Sequence, residues 1–371
     1  MRSLIVCCAL LLSSQSAYAA ENSVQFAATP ADIEGNDGQS ILTQGRLVAG
    51  DGGAAHYIYH RKKPADIKID GGFFIALEHG YLEAVDKTIV NVRQFGACGD
   101  QTINQTEVLQ TAIDVAIRYN LDVYFPPGWY LFDKLRCDSP SRWIGAGKTR
   151  TVLYATKDAT GALIEDSGNG AKFTMEHIRI QGCLDTKGSQ QVTSVLRLGH
   201  NAFPWGSGGI LNNVIIFDFP NAIGIDVNQN ISKIENCWMQ NCLTGIKAVG
   251  NGLNLSHVQV TAPKGIALEI LSPCRIYDLE IEAPFASPVL QFGRQSHVFG
   301  LHISLAPKDL VGHLETLIEW QQASGQLIGP RVDLSGAGEV KSTYTNFMSG
   351  ARTLSTPADV FFDPVSLRSA P

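Results

Sequence analysis

The sequence predicts an all-β chain folded as a right-handed, single-stranded parallel β-helix, with an amphipathic helix as a lid at its N-terminal end. The first observation behind this is a short pattern that occurs six times: a polar or small residue, an apolar residue, one free position, and a second apolar residue. The copies begin at His177, Asn213, Asn236, His257, Asp278 and Gly300. Apolar, free, apolar is the period-two signature of a strand with one buried face. The second observation is the spacing, 36 residues for the first interval and 21–23 for the rest. A strand returning every twenty-odd residues is one coil of a solenoid, because a single coil cannot bury its apolar face alone. Ile178, Val214, Cys237, Val258, Leu279 and Leu301 then form one inward column. Ile180, Ile216, Met239, Val260, Ile281 and Ile303 form the next. The third observation is composition: 44% apolar and only 17% charged residues suit long buried strands.

Taken in order, residues 1–19 read as a secretory leader. Arg2 supplies the basic start, Leu4 to Leu12 an apolar core too short to cross a bilayer, and Ala17-Tyr18-Ala19 the cleavage signal. The expected location is secreted or periplasmic, with no membrane span. Residues 20–89 read as a strand-rich N-terminal module. It holds a turn cluster at Gly50-Asp51-Gly52-Gly53, a strand at His56–His60, and a turn and strand from Gly71 to Leu77.

The β-helix domain is expected over residues 90–335. It opens with Val92, Phe95, Gly96, Ala97, Gly99 and Asp100, followed by a helix from Gln105 to about Tyr119. Asn104 and Glu107 suit a capping box there, and Val108, Leu109, Ala112, Ile113, Ala116 and Ile117 form one apolar face. An amphipathic helix can hide the open apolar end of a solenoid. After it come Val123, Phe125, Pro126, Pro127, Gly128 and Tyr130. This stretch, closely over residues 90–155, resembles the opening of the pectate-lyase-like superfamily, in the branch of phage tailspikes and bacterial polysaccharide depolymerases. The turn at Ala49–Gly53 is similar to the segment that precedes it in tailspike-like chains. The resemblance implies the β-helix fold and a polysaccharide partner. It also implies either a monomer or, as in tailspikes, a homotrimer.

Gly145-Ala146-Gly147-Lys148-Thr149 lacks the earlier glycine of a phosphate loop, since Arg142 stands there, and reads as a tight turn. Between Gln181 and Gly208 an insertion carrying Arg197, His200, Phe203, Pro204 and Trp205 lengthens the first interval. Such excursions build the rims of sites, so Trp205 is a candidate for substrate contact. Residues 336–371 read as a C-terminal cap or tail. Six cysteines follow the leader, and an oxidising compartment permits three disulfides among them; Cys237, on an inward column, fits a buried thiol equally well. A net charge of −6 argues against nucleic acid, which needs a basic face.

The outward positions carry the chemistry. One column is His177, Asn213, Asn236, His257, Asp278, Gly300; a second is Arg179, Ile215, Trp238, Gln259, Glu280, His302; a third is Gln181, Phe217, Gln240, Thr261, Glu282, Ser304. Phe217 and Trp238 offer aromatic surface to sugar rings, and Arg179 or Arg275 a cation for a uronate carboxylate. Asp278, Glu280 and Glu282 offer carboxylates for acid–base work, and His257 and His302 offer imidazoles. Glu280 and Glu282 have Cα atoms about 6.5–7 Å apart on one strand, which flexible side chains can turn into either glycosidase geometry. The three carboxylates could instead hold Ca²⁺ through their oxygens, or be solvated charges on a sheet.

The better-known active sites of the superfamily do not carry over. The N-T-D, D-D and G-H-G motifs of polygalacturonases are absent from these strands, as are the R-x-P-x-x-R of pectate lyases and the D-P-H-D of alginate epimerases; Asp363-Pro364 is followed by Val365. The expected function is therefore stated by class: a polysaccharide hydrolase or lyase working on the β-helix face. The alternative is a non-catalytic glycan-binding or surface-assembly protein of the same fold.

Overall fold

The computed structural model describes residues 24–137, 141–166, 172–183, 191–199, 209–228, 232–249, 252–285, 288–293 and 296–304. It also describes the strands at 318–320, 325–328, 331–333 and 360–361. The chain divides into two compact units. One holds residues up to Cys98 with Glu107–Pro126, and the other holds Gly99–Thr106 with everything from Pro127 onward.

The first unit contains a five-stranded sheet in the order Gln25–Ala27, Ser40–Thr43, His56–His60, Gly80–Ala84, Phe74–Leu77. The first pair is parallel and the others antiparallel. Tyr57 and Tyr59 point into its core, and the intervening His56, Ile58 and His60 are only half-buried, as the alternation predicts. The expected turn at Gly50–Gly53 is built on Asp51. Its carboxylate accepts the backbone N–H groups of Arg46, Leu47, Val48 and Gly53. A Cβ on Gly53 would stand 2.5 Å from the Arg93 carbonyl oxygen, so this position excludes a side chain. The predicted helix runs from Thr106 to Tyr119 and buries Leu109, Ala112, Ile113, Val115 and Ala116. Val115 joins the expected face, while Val108 and Ile117 stay half-buried. Tyr119 at its end meets Phe73 edge-on, with ring centroids 6.1 Å apart.

The second unit is the parallel β-helix, with the right-handed sense expected of parallel crossovers. Each coil lays one strand on each of three faces. The first face stacks Gly128–Phe132, Thr151–Ala155, Arg179–Gln181, the start of Ile215–Val227, the start of Trp238–Ala248, and the ends of Leu253–Thr261, Cys274–Glu282 and Ser296–Ser304; Arg331–Asp333 follows. The second face runs through Thr160–Glu165, Gln191–Leu198, Ile223–Val227, Ile246–Ala248, Leu268–Ile270 and Leu290–Phe292. The third runs through Ser141–Gly145, Phe173–Glu176, Ile210–Asn212, Ser232–Glu235, Leu253–Ser256, Cys274–Tyr277 and Ser296–Phe299.

Both predicted inward columns are buried to within 1% exposure at every position. The register is the one the repeat predicts: Ile216 pairs with Met239, Met239 with Val260, Val260 with Ile281, and Ile281 with Ile303. Gln191–Leu198, which the sequence assigns to an insertion, is in fact a second-face strand between Thr160–Glu165 and Ile223–Val227. The turn at Gly147 is confirmed by Arg150 and Thr151 donating to its carbonyl.

The column beginning at His177 is not a strand position but a bend. His177, Asn213, Asn236, His257, Asp278 and Gly300 all have φ between 52° and 70°, the left-handed region, where the chain turns from the third face to the first. Asn, Asp, His and Gly are the residues that tolerate this backbone. Asp218, Asn241, Ala262 and Ala283 form a second left-handed column at the other edge of the first face. The permitted three-disulfide framework is not formed, because Cys237, Cys242 and Cys274 are thiols. Burial pushes each of these up to about 12, so they are inert parts of the core.

Candidate functional site

The first face brings most of the predicted residues into one field. Arg179 stacks on Ile215, Ile215 on Trp238, Trp238 on Gln259, Gln259 on Glu280, and Glu280 on His302. Beside that column run Gln181, Phe217, Gln240, Thr261, Glu282 and Ser304 in the same register. Adjacent members sit one strand spacing, about 4.8 Å, apart. The field continues one and two coils toward the N-terminus, where Trp129 and Tyr154 meet with centroids 5.8 Å apart. Trp129-x-Leu131 and Val152-x-Tyr154 obey the same alternation, and that signal could have added them to the predicted columns.

At one end lies a depression of about 530 Å3 lined by His257, Gln259, Asp278, Glu280, Gly300 and His302. Four of the five predicted catalytic residues are therefore gathered there. His257 and Asp278 reach it from the bend, and Glu280 and His302 from the first face. Gly300 leaves the bend column bare at the last of these coils; a Cβ there would come 2.7 Å from Asp278 Oδ1. Two imidazole–carboxylate pairs form the polar lining: His257 Nε2 to Asp278 Oδ2 at 3.2 Å, and His302 Nδ1 to Glu280 Oε1 at 3.5 Å. The first pair is about two-thirds exposed on both sides and adds little stability. In the second, His302 is only 35% exposed, and its Nε2 is buried with no partner among the described residues.

Glu282, the fifth, lies outside that depression on the neighbouring column. Its Oε2 accepts the hydroxyl of Thr261 at 3.1 Å, and Thr261 Oγ1 accepts the indole N–H of Trp238 at 3.0 Å. Trp238 in turn meets Phe217 edge-on, 4.7 Å between centroids at 85°. Arg179 lies over the other side of this cluster, 4.7 Å from the Phe217 centroid, and donates to Gln181, which donates to Asp218. Burial lowers the pKa of Arg179, opposed by the nearby Asp218 carboxylate. The guanidinium is thus tied to its own strand and to the next coil. Arg275 is on a different face. It stacks between Asn254 and His297 on the third, around the Asp278 bend from Glu280. Trp205 lies outside the described residues.

The three carboxylates proposed as oxygen ligands for Ca²⁺ turn to three separate partners, His257, His302 and Thr261. Among the described residues no group of three His, Cys, Asp or Glu side chains is gathered to hold a metal ion. No helix in the described residues is long and apolar enough to cross a membrane.

Fold and site together define a class: a parallel β-helix with a polar, partly aromatic field on one face. Comparison with known proteins agrees at the level of fold. Residues 89–177 match the family model described as rhamnogalacturonase A/epimerase, pectate lyase-like. That match ends at the first bend residue, so every predicted site residue lies beyond it. No curated protein matches the sequence. Among solved structures, the chain is similar to Pantoea stewartii WceF, a glycan biofilm modifying enzyme with a tailspike-like parallel β-helix (TM-score 0.60, 13% identity, 84% of this chain and 48% of that one). It is also similar to the enzymatically active domain of bacteriophage CBA120 tailspike protein 2 (0.59, 13%, 81% and 51%). A third is tailspike gp49 of Acinetobacter baumannii bacteriophage Fri1, a capsular polysaccharide depolymerase (0.58, 13%, 85% and 65%). The chain spans less than two-thirds of the length of each. The resemblance expected from the sequence is thereby borne out as a shared fold.

Proposed function

We propose that this chain is a secreted or periplasmic enzyme that cleaves a polysaccharide lying along the first face, by hydrolysis between Glu280 and Glu282. The observation that carries the reading is the register. It sets the two carboxylates side by side on one face, with unlike partners, and with Trp238 and Phe217 two and three coils further along for sugar contact. That the fold neighbours include a capsular polysaccharide depolymerase and a glycan biofilm modifying enzyme supports the substrate class. A specific observation favours a second reading, β-elimination. His257 and His302 line the same depression, each beside a carboxylate that can orient its imidazole as a base.

The test is digestion of a panel of neutral and uronic-acid polysaccharides, followed by reducing ends and by ultraviolet absorbance of unsaturated uronates. New reducing ends without absorbance, lost in Glu280→Gln and Glu282→Gln by about two to four orders of magnitude while glycan binding persists, support hydrolysis. Absorbance that depends on His257 or His302 moves the chemistry to elimination. Binding with no products makes the protein a glycan binder. Light scattering of the purified chain decides between monomer and homotrimer.

A further inference from the structure

Glu280 and Glu282 differ in what their partners can do with a proton. The indole N–H of Trp238 only donates, so Thr261 Oγ1 must accept it. The single hydroxyl hydrogen of Thr261 is then left for Glu282 Oε2, 3.1 Å away. Glu282 therefore meets a partner that gives it a hydrogen bond and does not take its proton. Glu280 meets His302 Nδ1, which can hold a proton or yield one. The two carboxylates are unequal by construction.

We propose, resting on the hydrolytic reading above, that Thr261 is a positioning residue: it holds Glu282 as the ionised nucleophile or base, through a relay from Trp238, and leaves Glu280 with His302 as the acid. In hydrolysis the Glu280 proton passes to the glycosidic oxygen as the anomeric C–O bond breaks. Glu282 either bonds to the anomeric carbon, to be released by water, or takes the proton of the attacking water. Either way the relay does not lose a proton, and Thr261 touches no reacting atom. The same relay fixes the Trp238 ring, so a sugar seated on the indole is in register with the carboxylate.

The relay can be read without any substrate. In protein labelled with nitrogen-15 tryptophan, the Trp238 indole signal, assigned by its loss in Trp238→Phe, is expected to shift as acid titrates Glu282. The shift should vanish in Glu282→Gln and in Thr261→Val, and persist in Thr261→Ser. On a cleaved glycan, Thr261→Val should lower kcat about tenfold with KM little changed, raise the acidic limb of the pH–rate profile, and recover with Thr261→Ser. An indole signal that ignores pH, or a Thr261→Val enzyme with unaltered kcat and profile, overturns the proposal. If the indole titrates as expected but Glu282→Gln turns over like the native chain, the relay stands and the hydrolytic assignment of Glu282 is what fails.

Discussion

Asp51 shows how one residue can hold a loop. Burial alone would raise its pKa, but the four backbone N–H groups that converge on it outweigh this and hold the carboxyl below its ordinary value of 3.8. A depressed carboxylate contributes stability that is fully present above the ordinary pKa and is lost as pH falls through the lowered, folded value. The first unit should therefore lose an increment of stability in that acid window, and Asp51→Asn should lack it. At neutral pH the substitution is expected to cost about 1–3 kcal/mol, because amide hydrogen bonds to a charge are replaced by weaker ones. Denaturant melts at neutral pH and across the acid range, with hydrogen exchange at Leu47 and Gly53, check both statements. The turn itself is plain in the glycine-rich sequence. The convergence of its donors on one carboxylate is not, since it depends on backbone geometry that composition does not encode.

Among the elements, the bend columns are the lesson in what a repeat reveals. The inward columns are readable because period-two alternation at constant spacing leaves one register that buries every apolar residue. The bend column was equally visible as a run of His, Asn, Asn, His, Asp and Gly, yet a polar run beside a strand also reads as an outward, chemical surface. What separates the two is that this set is the one that tolerates positive φ. Asn236→Val is expected to cost about 1–2 kcal/mol, since a β-branched residue is forced to φ 53°, whereas Asn236→Gly should cost far less. Thermal melts of the two variants check this, and any loss in both would point to the Asn236 side chain instead, which donates to Asn212 Oδ1. His257 and Asp278 keep their places in the candidate site with a second duty as bends. The Trp238–Thr261–Glu282 relay stayed hidden because alternation says which way a side chain points and nothing about which neighbour it bonds.

Across the whole second unit, the outward column of the second face reads Arg136, Glu165, Arg197, Asp226, Lys247, Glu269 and Gln291, each paired in register with the next. Charge alternates at every coil from Arg136 to Glu269. Arg197 approaches Glu165 at 3.5 Å and Lys247 reaches Glu269 at 2.9 Å. Sequence inspection missed this ladder because its members lie at unequal separations, displaced by loops and by the register shift between Phe219 and Ile223. In a solenoid each coil contacts only its neighbours, so removing one coil is expected to be survivable. Deleting residues 236–256 would stack Asp226 directly on Glu269, a like-charge pair that costs up to about 1 kcal/mol. Adding Glu269→Lys to that deletion should restore the alternation and part of the melting temperature, while the same substitution in the full chain, facing Lys247, should lower it.

That alternation makes the ladder a parity rule on chain length. A coil gained or lost by itself leaves two like signs in contact, whereas coils exchanged in twos leave the sequence of signs intact. A gene that lengthens this protein by copying part of itself would meet the least resistance when it copies an even number of coils.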